Sequence, residues 1–336
     1  MTVLVTGATG GLGRNAVEFL QGRGRNVRAT GRDGSVGKTL AAGGAEFVAL
    51  DLARASRSAF ESLVDGVQAV WHCAALSSPW GRAQDFLAAN VKATQGLAQA
   101  AVARGVERFV HVSTPSLYFD YSHRRDIDED FRPAHYVNHY ARTKAEAEQV
   151  IRDLALRDGG TRFVMLRPRG IFGPHDRVLF PRVLRLVRER GGRLPMPRAG
   201  QACIDLTYVT NVVHAMDLAG RADVASGSVF NITNGEPTSL GHVLGAVLGP
   251  LGLDFRLVAV PYPAVDMAAR AAETWARMSG REPTLTRYAA GMLNYDMTLN
   301  IARARQQLGY EPVVSLADGL AATVEWIREH GKDYGL

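Results

Sequence analysis

The sequence is poor in cysteine, in lysine and in long apolar runs. Its 336 residues include only Cys73 and Cys203, too few and too far apart for a disulfide framework or a zinc site. None of its apolar runs approaches the roughly 20 residues needed to cross a bilayer. The chain opens on an apolar run without a preceding basic segment, so we expect no signal peptide and a cytoplasmic location.

The basic residues are not arranged for binding nucleic acid. The formal net charge is +6 and arginine greatly outnumbers lysine, but the arginines are scattered and not interleaved with aromatic residues. The densest group lies in 182–193, where apolar residues at helical spacing predict an amphipathic helix with a solvated basic face. This group comprises Arg182, Arg185, Arg188, Arg190 and Arg193. We therefore expect no nucleic-acid partner, but a basic rim that attracts an anionic cofactor or substrate.

A glycine-rich turn near the start of the chain indicates a nucleotide site. Residues 6–13 read Thr-Gly-Ala-Thr-Gly-Gly-Leu-Gly and directly follow the apolar run Val3-Leu4-Val5. A buried strand therefore enters a glycine turn that opens a helix, and the pyrophosphate of a dinucleotide binds at such a helix N-terminus. The expected contacts with the cofactor here are Gly7, Thr9, Gly10, Gly11, Leu12, Gly13 and Arg14.

Strand-like and helical segments alternate through the first half of the chain. Strands are predicted at 2–6, 26–30, 46–50, 68–73, 107–113 and 161–167, and the clearest helices at 83–104 and 137–156. This alternation predicts an α/β protein with a Rossmann-type, doubly wound parallel sheet. After Pro168 we predict strands at 203–209, 228–232 and 254–260, and helices at 238–248, 263–279 and 317–330. We expect a dinucleotide-binding domain over 1–168 and a smaller C-terminal substrate-binding lobe over 169–336, with 203–221 returning to the main sheet.

A tyrosine and a lysine are spaced for acid–base chemistry. Tyr140 and Lys144 lie at i and i+4 of a predicted helix, and hence on one face. A free phenol has a pKa of about 10, and a nearby ammonium lowers that pKa, so Tyr140 is a candidate general acid and base. The preceding strand ends in Ser113-Thr114-Pro115-Ser116, where a hydroxyl would hydrogen-bond a substrate carbonyl. Pro115 favours an extended backbone at Thr114, which fixes the direction of its side chain.

Together these motifs resemble the extended short-chain dehydrogenase/reductase family, nearly from end to end. Besides the glycine turn and Tyr140/Lys144, the resemblance includes Asp51-Leu52, His72-Cys73-Ala74-Ala75, Asn90-Val91-Lys92-Ala93-Thr94, Ser113-Thr114 and Arg167-Pro168-Arg169-Gly170-Ile171-Phe172-Gly173-Pro174. It implies that Tyr140 is the acid/base, that Lys144 lowers its pKa and binds the nicotinamide ribose, and that Thr114 orients the substrate better than Ser113 does. A hydride would pass between nicotinamide C4 and a ketone or secondary alcohol carbon. Further cofactor contacts are implied at Asp51, Leu52, Cys73, Ala74, Ala75, Asn90, Pro168, Gly170 and Ile171.

The end of the second predicted strand bears on the choice between NAD and NADP. Members that prefer NAD resemble one another in carrying an acidic residue where this chain has Gly31. Here Arg32 follows, and Arg14 offers a second guanidinium to a 2′-phosphate. Asp33 is the residue that opposes a preference for NADP(H), since its carboxylate would bind the ribose 2′-hydroxyl of NAD or pair with Arg32. We expect NADP(H), with NAD(H) as the alternative.

Two branches of the family compete for the substrate. The segments 169–181, 283–286 and 308–312 resemble the 3β-hydroxysteroid dehydrogenase-like branch, which includes sterol-carboxylate dehydrogenases and bacterial 3-oxoalkanoate reductases. The resemblance implies a ketone or secondary alcohol on a small hydrophobic substrate, of the 3-hydroxysteroid or 3-oxo/3-hydroxy acid type. The expected substrate contacts are Ser78, Thr114, Ser116, Tyr118, Phe172, Leu179 and Phe180. An NAD-dependent sugar-nucleotide epimerase or dehydratase and a non-catalytic NADP sensor remain alternatives, and a homodimer is left open.

Overall fold

The computed structural model describes residues 1–157 and 159–334, and a seven-stranded parallel sheet forms its centre. The strands are β1 (Thr2–Thr6), β2 (Asn26–Gly31), β3 (Glu46–Ala49), β4 (Ala69–His72), β5 (Arg108–Val112), β6 (Arg124–Ile127), β7 (Arg162–Pro168), β8 (Ile171–Phe172), β9 (Arg193–Pro197), β10 (Cys203–Ile204), β11 (Thr207–Tyr208), β12 (Ser228–Ile232), β13 (Thr238–Ser239), β14 (Arg256–Val260) and β15 (Met297–Leu299).

The helices lie mainly between these strands. The α-helices are α1 (Gly11–Gly22), α2 (Gly34–Ala42), α3 (Arg57–Val64), α4 (Ala83–Phe86), α5 (Ala93–Ala103), α6 (His139–Arg157), α7 (Leu179–Glu189), α8 (Val209–Ala219), α9 (Leu240–Leu248), α10 (Tyr262–Ser279), α11 (Arg287–Met292), α12 (Ala302–Leu308), α13 (Leu316–Glu329) and α14 (Gly331–Tyr334). Three short 3₁₀ turns span Leu52–Arg54, Pro115–Tyr118 and Arg198–Gly200. Among the described residues, no helix is both long enough and apolar enough to cross a membrane.

The strand order places a binding edge at the centre of the main sheet. The order is β3-β2-β1-β4-β5-β7-β12, and every neighbouring pair is parallel. The chain winds outward from β1 in one direction and from β4 in the other. Ligands of open α/β sheets bind beyond the carboxyl ends of the strands at such a reversal point. The predicted α/β class and doubly wound parallel sheet are confirmed.

Helices cover both faces of this sheet because its strands are apolar on both sides. In β1, Val3 and Val5 face one hydrophobic cluster, whereas Leu4 faces the other. The first cluster includes Val17 of α1 and Val213 of α8, and the second includes residues of α3, α5 and α6. Alternate side chains point to opposite faces of a strand, so this division is what a doubly covered parallel sheet requires.

The structure corrects the prediction for 203–221. The segment 203–209 is not one strand: β10 pairs with β13 and β15 in a four-stranded sheet, and β11 pairs with β8. Helix α8 follows directly, and its residues Val212, Val213 and Met216 pack on the main sheet at helical spacing. The segment therefore returns to the main sheet through a helix and not through a strand. The strand that joins the sheet is β12, which pairs with β7 over five residues.

Two predicted helices are also interrupted. The segment 83–104 consists of α4, a π-helical stretch at Leu87–Lys92, and α5. The side chain of Asn90 lies in the π-helical stretch and bonds the loop after β4, where its Oδ1 accepts from the amide of Leu76 at 2.7 Å. Wide turns of this kind are frequent at functional sites. The segment 238–248 begins with the two-residue strand β13 before α9 starts at Leu240.

The smaller lobe has an apolar core of its own. Phe180, Leu184 and Val187 of α7 are buried against residues of α9 and α13. The arginines of α7 lie on the opposite, exposed face of the helix. The predicted amphipathic helix with a solvated basic face is therefore confirmed, although α7 ends at Glu189 and Arg193 belongs to β9.

Candidate active site

The carboxyl ends of β1, β4, β5 and β7 bring the predicted motifs to one edge of the main sheet. The glycine turn follows β1, Cys73-Ala74-Ala75 follow β4, Ser113-Thr114 follow β5, and Arg169 follows β7. The buried ring of His72 links the ends of β1 and β4 to α5. His72 Nδ1 lies 2.7 Å from Thr6 Oγ1, and its Nε2 lies 2.9 Å from Thr94 Oγ1 on α5. Burial lowers the pKa of His72 to about 3, so this ring is neutral and acts as a structural link.

The glycine turn forms a cradle for a dinucleotide. Gly7 has φ of +64°, and a Cβ at this position would lie 2.8 Å from the backbone nitrogen of Ala74. Only glycine fits this close approach of the two loops. No side chain caps α1 at Gly10, and the first turn holds no acidic residue, so the helix presents uncapped amides and a positive dipole end. These features fit a pyrophosphate at the start of α1.

The end of β2 is built without an acid for the ribose 2′-hydroxyl. A Cβ at Gly31 would lie 2.5 Å from Thr9 Oγ1, so a carboxylate side chain does not fit there unless Thr9 moves. Asp33 is used by the fold, because its Oδ1 accepts from the amides of Ser35 at 3.0 Å and Val36 at 3.2 Å and caps α2. Arg32 is exposed and makes neither a hydrogen bond nor an ion pair with any residue that the structure describes.

The other predicted residues near the adenosine end have structural partners. Asp51 caps the turn at Leu52–Arg54, where its Oδ1 accepts from the amide of Ala53 at 3.1 Å. Arg14 is paired with Glu18, 3.2 Å from Nε to Oε1. Arg177, from the loop after β8, approaches Asp33 to 3.7 Å. The loop at 174–177 therefore lies beside the nucleotide cradle, and Asn15 Nδ2 donates to the carbonyl of Pro174 at 2.9 Å.

Tyr140 lies at the start of α6 with its phenol between two hydroxyls. It is partly exposed, and the hydroxyls of Ser77 and Thr114 act on its ionisation. Burial raises the pKa of Tyr140, and these two hydroxyls oppose that rise. The expectation that Lys144 lowers this pKa stays a prediction. In this structure the Lys144 ammonium donates to the carbonyl of Val112 at 2.7 Å and lies 3.1 Å from His111 Nε2.

Glu148, Arg167 and Arg152 form a buried ionic network whose charge acts on Lys144. Glu148, one helical turn further along α6, accepts from Arg167 Nε at 2.7 Å and from Arg152 Nη2 at 2.7 Å. Burial alone would raise the pKa of Glu148, but Arg167 brings it down to about 2, so the carboxylate is ionised. Burial lowers the pKa of Lys144 to about 8, against the opposing negative charge of Glu148.

The two hydroxyls after β5 have different partners. Ser113 Oγ donates to Glu148 Oε1 at 2.6 Å and belongs to the buried network. Thr114 lies outside the buried network. Its hydroxyl acts on the ionisation of Tyr140, and its Oγ1 donates to Ser116 Oγ at 3.0 Å. Ser116 Oγ in turn lies 2.8 Å from the hydroxyl of Tyr288 on α11. This geometry agrees with the expectation that Thr114, rather than Ser113, orients the substrate.

A cavity of about 660 Å³ opens next to these hydroxyls between the two lobes. Its aromatic lining consists of Trp80, Phe86, Tyr121, Tyr136 and Tyr288. Three arginines also line it, and each has a carboxylate partner: Arg142 with Glu146, Arg277 with Glu273, and Arg287 with Asp266. The cavity therefore combines five aromatic side chains with three arginines that are paired with carboxylates.

None of the predicted substrate residues lines this cavity. Thr114 and Ser116 lie near Tyr140, and Ser78 closes its own turn by donating to the carbonyl of Trp80. The Tyr118 hydroxyl is buried and donates to Asn231 Oδ1 at 2.8 Å. Phe172 and Phe180 pack against each other in the core of the second lobe, with Leu179 at its margin. The roles of these residues as substrate contacts stay predictions.

Sequence reasoning missed several residues of the site. Glu148 lies four residues after Lys144, so the helical spacing already placed it on the same face. Ser77 adjoins the predicted Ser78 and is the one that reaches Tyr140. Tyr288 lies far along the chain in a helix of six residues, and no local pattern pointed to it.

Comparisons with known proteins agree with this arrangement. Residues 3–233 match the model of the NAD-dependent epimerase/dehydratase family. The uncharacterized protein YbjS of Escherichia coli K12 is 49% identical over 99% of this chain and 99% of its own length. The 2-alkyl-3-oxoalkanoate reductase of Stenotrophomonas maltophilia is 34% identical over 95% of this chain and 97% of its own. A solved structure of MoeE5 with UDP-glucose and NAD covers 98% of this chain and 99% of its own, at 28% identity and a TM-score of 0.73.

A Rossmann-type sheet, a glycine cradle and a Tyr/Lys pair at the carboxyl edge define an extended short-chain dehydrogenase/reductase. The chain belongs to the NAD-dependent epimerase/dehydratase family within that class. It is an NAD(P)-dependent oxidoreductase.

Proposed function

We propose that the chain is an NADP(H)-dependent oxidoreductase that interconverts a ketone and a secondary alcohol on a hydrophobic substrate. The substrate class is that of 3-hydroxysteroids or of 3-oxo and 3-hydroxy acids. The observation that carries the proposal is the position of Tyr140, which lies near Thr114 and directly follows His139, a residue that lines a cavity with five aromatic side chains. The 34% identical reductase from S. maltophilia is named for a 3-oxo acid substrate, which agrees with this choice.

The proposed chemistry divides between three side chains. When bound, the nicotinamide supplies the hydride to the carbonyl carbon or takes it from the carbinol carbon. Tyr140 delivers a proton to the carbonyl oxygen in reduction and removes it in oxidation, because its phenol is a titratable group at the carboxyl edge of the main sheet. Thr114 donates a hydrogen bond to the same oxygen and holds it against Tyr140. Lys144 lies one helical turn after Tyr140, with its ammonium held by the carbonyl of Val112, and binds the cofactor ribose.

The preference for NADP(H) rests on the end of β2. Gly31 leaves no room for a carboxylate beside Thr9, and the carboxylate of Asp33 is committed to capping α2. Arg32 is exposed and without a partner in the described chain, so its guanidinium is available to a 2′-phosphate. The remaining cofactor contacts predicted from the sequence, and the division into a dinucleotide-binding part and a substrate-binding lobe, belong to this proposal.

The paired arginines argue against the sugar-nucleotide alternative. A nucleoside diphosphate sugar needs basic groups free to bind its diphosphate. Arg142, Arg277 and Arg287 line the cavity, but each lies within 4 Å of a carboxylate. A non-catalytic NADP sensor would have no use for the Tyr140/Lys144 pair, which is present and assembled here.

A turnover screen tests the proposal. Purified protein is incubated with NADPH or NADP⁺ and with 3-ketosteroids, 3-oxo acids, their 3-hydroxy counterparts, or UDP-sugars. We expect stoichiometric consumption of NADPH with a hydrophobic ketone and none with UDP-sugars. A dehydrogenase releases the changed cofactor in each cycle, whereas an epimerase returns the hydride to its substrate. Interconversion of UDP-sugars without a net change at the nicotinamide absorbance band would replace the reductase with the epimerase.

A further inference from the structure

Arg169 is a buried guanidinium whose terminal nitrogens are unused. Its side chain is 6% exposed and follows the last residue of β7. Its Nε donates to the carbonyl of Met297 at 3.2 Å, which anchors the side chain to β15. Within the described chain, neither terminal nitrogen makes a hydrogen bond, and neither is sealed in the interior as an unsatisfied group. Both therefore face open space.

Arg169 lies at one end of a line of hydroxyls that begins at Tyr140. Thr114, which acts on Tyr140, donates to Ser116 at 3.0 Å, and Ser116 lies 2.8 Å from the hydroxyl of Tyr288. The charge of Arg169 acts on Tyr288, whose pKa burial and the Tyr140 phenol raise, and the hydrogen bond to Ser116 and Arg169 lower. The guanidinium therefore lies near the Tyr288 end of this line.

The charge of Arg169 lacks an ion-pair partner among the described residues. Asp205 is the carboxylate that acts on it electrostatically, but no oxygen of Asp205 comes within ion-pair distance. Asp205 Oδ2 accepts from the amide of Leu299 at 2.7 Å. Burial raises the pKa of Asp205 to about 6, so its negative charge is itself disfavoured. A buried guanidinium with open donors is stabilised by an anion that binds them.

We propose that Arg169 binds a carboxylate of the substrate and so selects 3-oxo and 3-hydroxy acids over neutral ketones and alcohols. Of the two substrate classes proposed above, only the 3-oxo and 3-hydroxy acids carry a negative charge that the guanidinium of Arg169 can bind. The carbonyl oxygen then lies at Tyr140 and Thr114, the carboxylate at Arg169 beside Tyr288, and the alkyl chain in the aromatic cavity. The inference rests on the proposed function and narrows its substrate class.

The test compares a 3-hydroxy acid with its neutral ester, because 3-hydroxy acids are stable in solution. Wild-type protein saturated with NADPH, which cannot oxidise a 3-hydroxy acid, is titrated by calorimetry with 3-hydroxydecanoate and with methyl 3-hydroxydecanoate at pH 7.5. We expect the acid to bind at least about tenfold more tightly, the scale of a charge-assisted pair. Equal affinities, or tighter binding of the ester, would overturn the assignment without any variant.

Variants then test whether Arg169 causes the preference for the acid over the ester. Arg169→Gln keeps much of the side chain but not the charge, and we expect it to bind acid and ester equally, with the ester bound as in the wild type. Arg169→Lys should retain part of the preference. Arg182→Gln, which removes an exposed arginine of α7, is the control for a general loss of positive charge. A folded Arg169→Gln protein that still prefers the acid refutes the role of Arg169. Should that variant not fold, the wild-type comparison decides.

Turnover is measured in parallel, so that the two proposals fail separately. If the wild type binds the acid through Arg169 but transfers no hydride, the oxidoreductase chemistry proposed above is wrong and the anion site stands. If the wild type turns over acid and ester with equal kcat/KM and equal affinity, the reductase stands and the anion site is wrong.

Discussion

Ser113 and Thr114 are adjacent hydroxyls, and their removal should have opposite consequences. Ser113 donates to the buried carboxylate of Glu148, whereas Thr114 bonds Tyr140 at the edge of the cavity. We expect Ser113→Ala to lower stability with little effect on turnover. We expect Thr114→Val to lower turnover far more than Ser113→Ala does, with a loss of stability limited to the two hydrogen bonds that Thr114 makes with Ser116.

The size of the stability change follows from the partners of Glu148. A hydrogen bond to a charged group contributes about 1.5 to 3 kcal/mol, and Arg167 and Arg152 continue to bond the carboxylate in the variant, which favours the lower value. The entropy of unfolding is about 2.1 cal/mol/K per residue, or about 0.7 kcal/mol/K for 336 residues. The melting temperature of Ser113→Ala should therefore fall by about 2 to 4 °C.

The loss of rate in Thr114→Val follows from the lost hydrogen bond between Thr114 and the reacting oxygen of the substrate. Removal of one positioned hydrogen-bond donor costs about 10² to 10³ in kcat at comparable sites. Calorimetric melting and steady-state turnover of both variants, with the substrate found in the screen, provide the two measurements. A Ser113→Ala protein with normal stability and a larger loss of rate than Thr114→Val would move the orienting role to Ser113 and refute this reading of the network.

Three further predictions concern the acid/base and the cofactor. Tyr140→Phe should lower turnover by at least about 10²-fold while NADPH binding, followed by fluorescence, stays within about twofold, because only the proton donor is lost; near-normal turnover contradicts the assignment. Burial lowers the pKa of Lys144 to about 8, so its charge is present below that pH and lost above it. NADP⁺ affinity should accordingly weaken as the pH rises through about 8, and Lys144→Met should bind weakly without this step; a step of equal size in the variant assigns the titration to another group. Arg32→Ala should weaken NADPH binding about tenfold or more and NADH binding little, while Arg185→Ala on α7 changes neither; tighter binding of NAD⁺ than NADP⁺ to the wild type contradicts the cofactor preference.

Local patterns in the sequence were sufficient for the parts of the site that lie on single elements. The glycine turn follows an apolar strand, and Tyr140 and Lys144 share a helical face, so spacing alone placed them. Because the carboxyl ends of parallel strands share one edge, the position of Ser113-Thr114 also followed from the predicted order of elements. The six predicted strands of the first half match strands of the main sheet to within one or two residues, whereas β6 was not predicted.

The contributions from distant segments could not be predicted in this way. Tyr288 meets Ser116 only through the packing of the second lobe, and periodicity carries no information about such a contact. The segment 203–209 read as one strand because most of its residues are apolar, yet they divide between two small sheets. Lys144 was expected to act on Tyr140, but the carbonyl of Val112, which any residue supplies, holds its ammonium.

The edge strand β12 has a consequence for the synthesis of the protein. Residues 228–232 complete the main sheet by pairing with β7, so every earlier length of nascent chain exposes the backbone of β7 along one side. An apolar strand with an open edge is a site of aggregation, and chains fold from the N-terminus as they emerge. Synthesis must therefore continue well past residue 232 before β12 can pair with β7 and complete the nucleotide-binding sheet. A gene fragment cut at residue 168 encodes the glycine cradle and the Tyr/Lys pair, but not an independent folding unit.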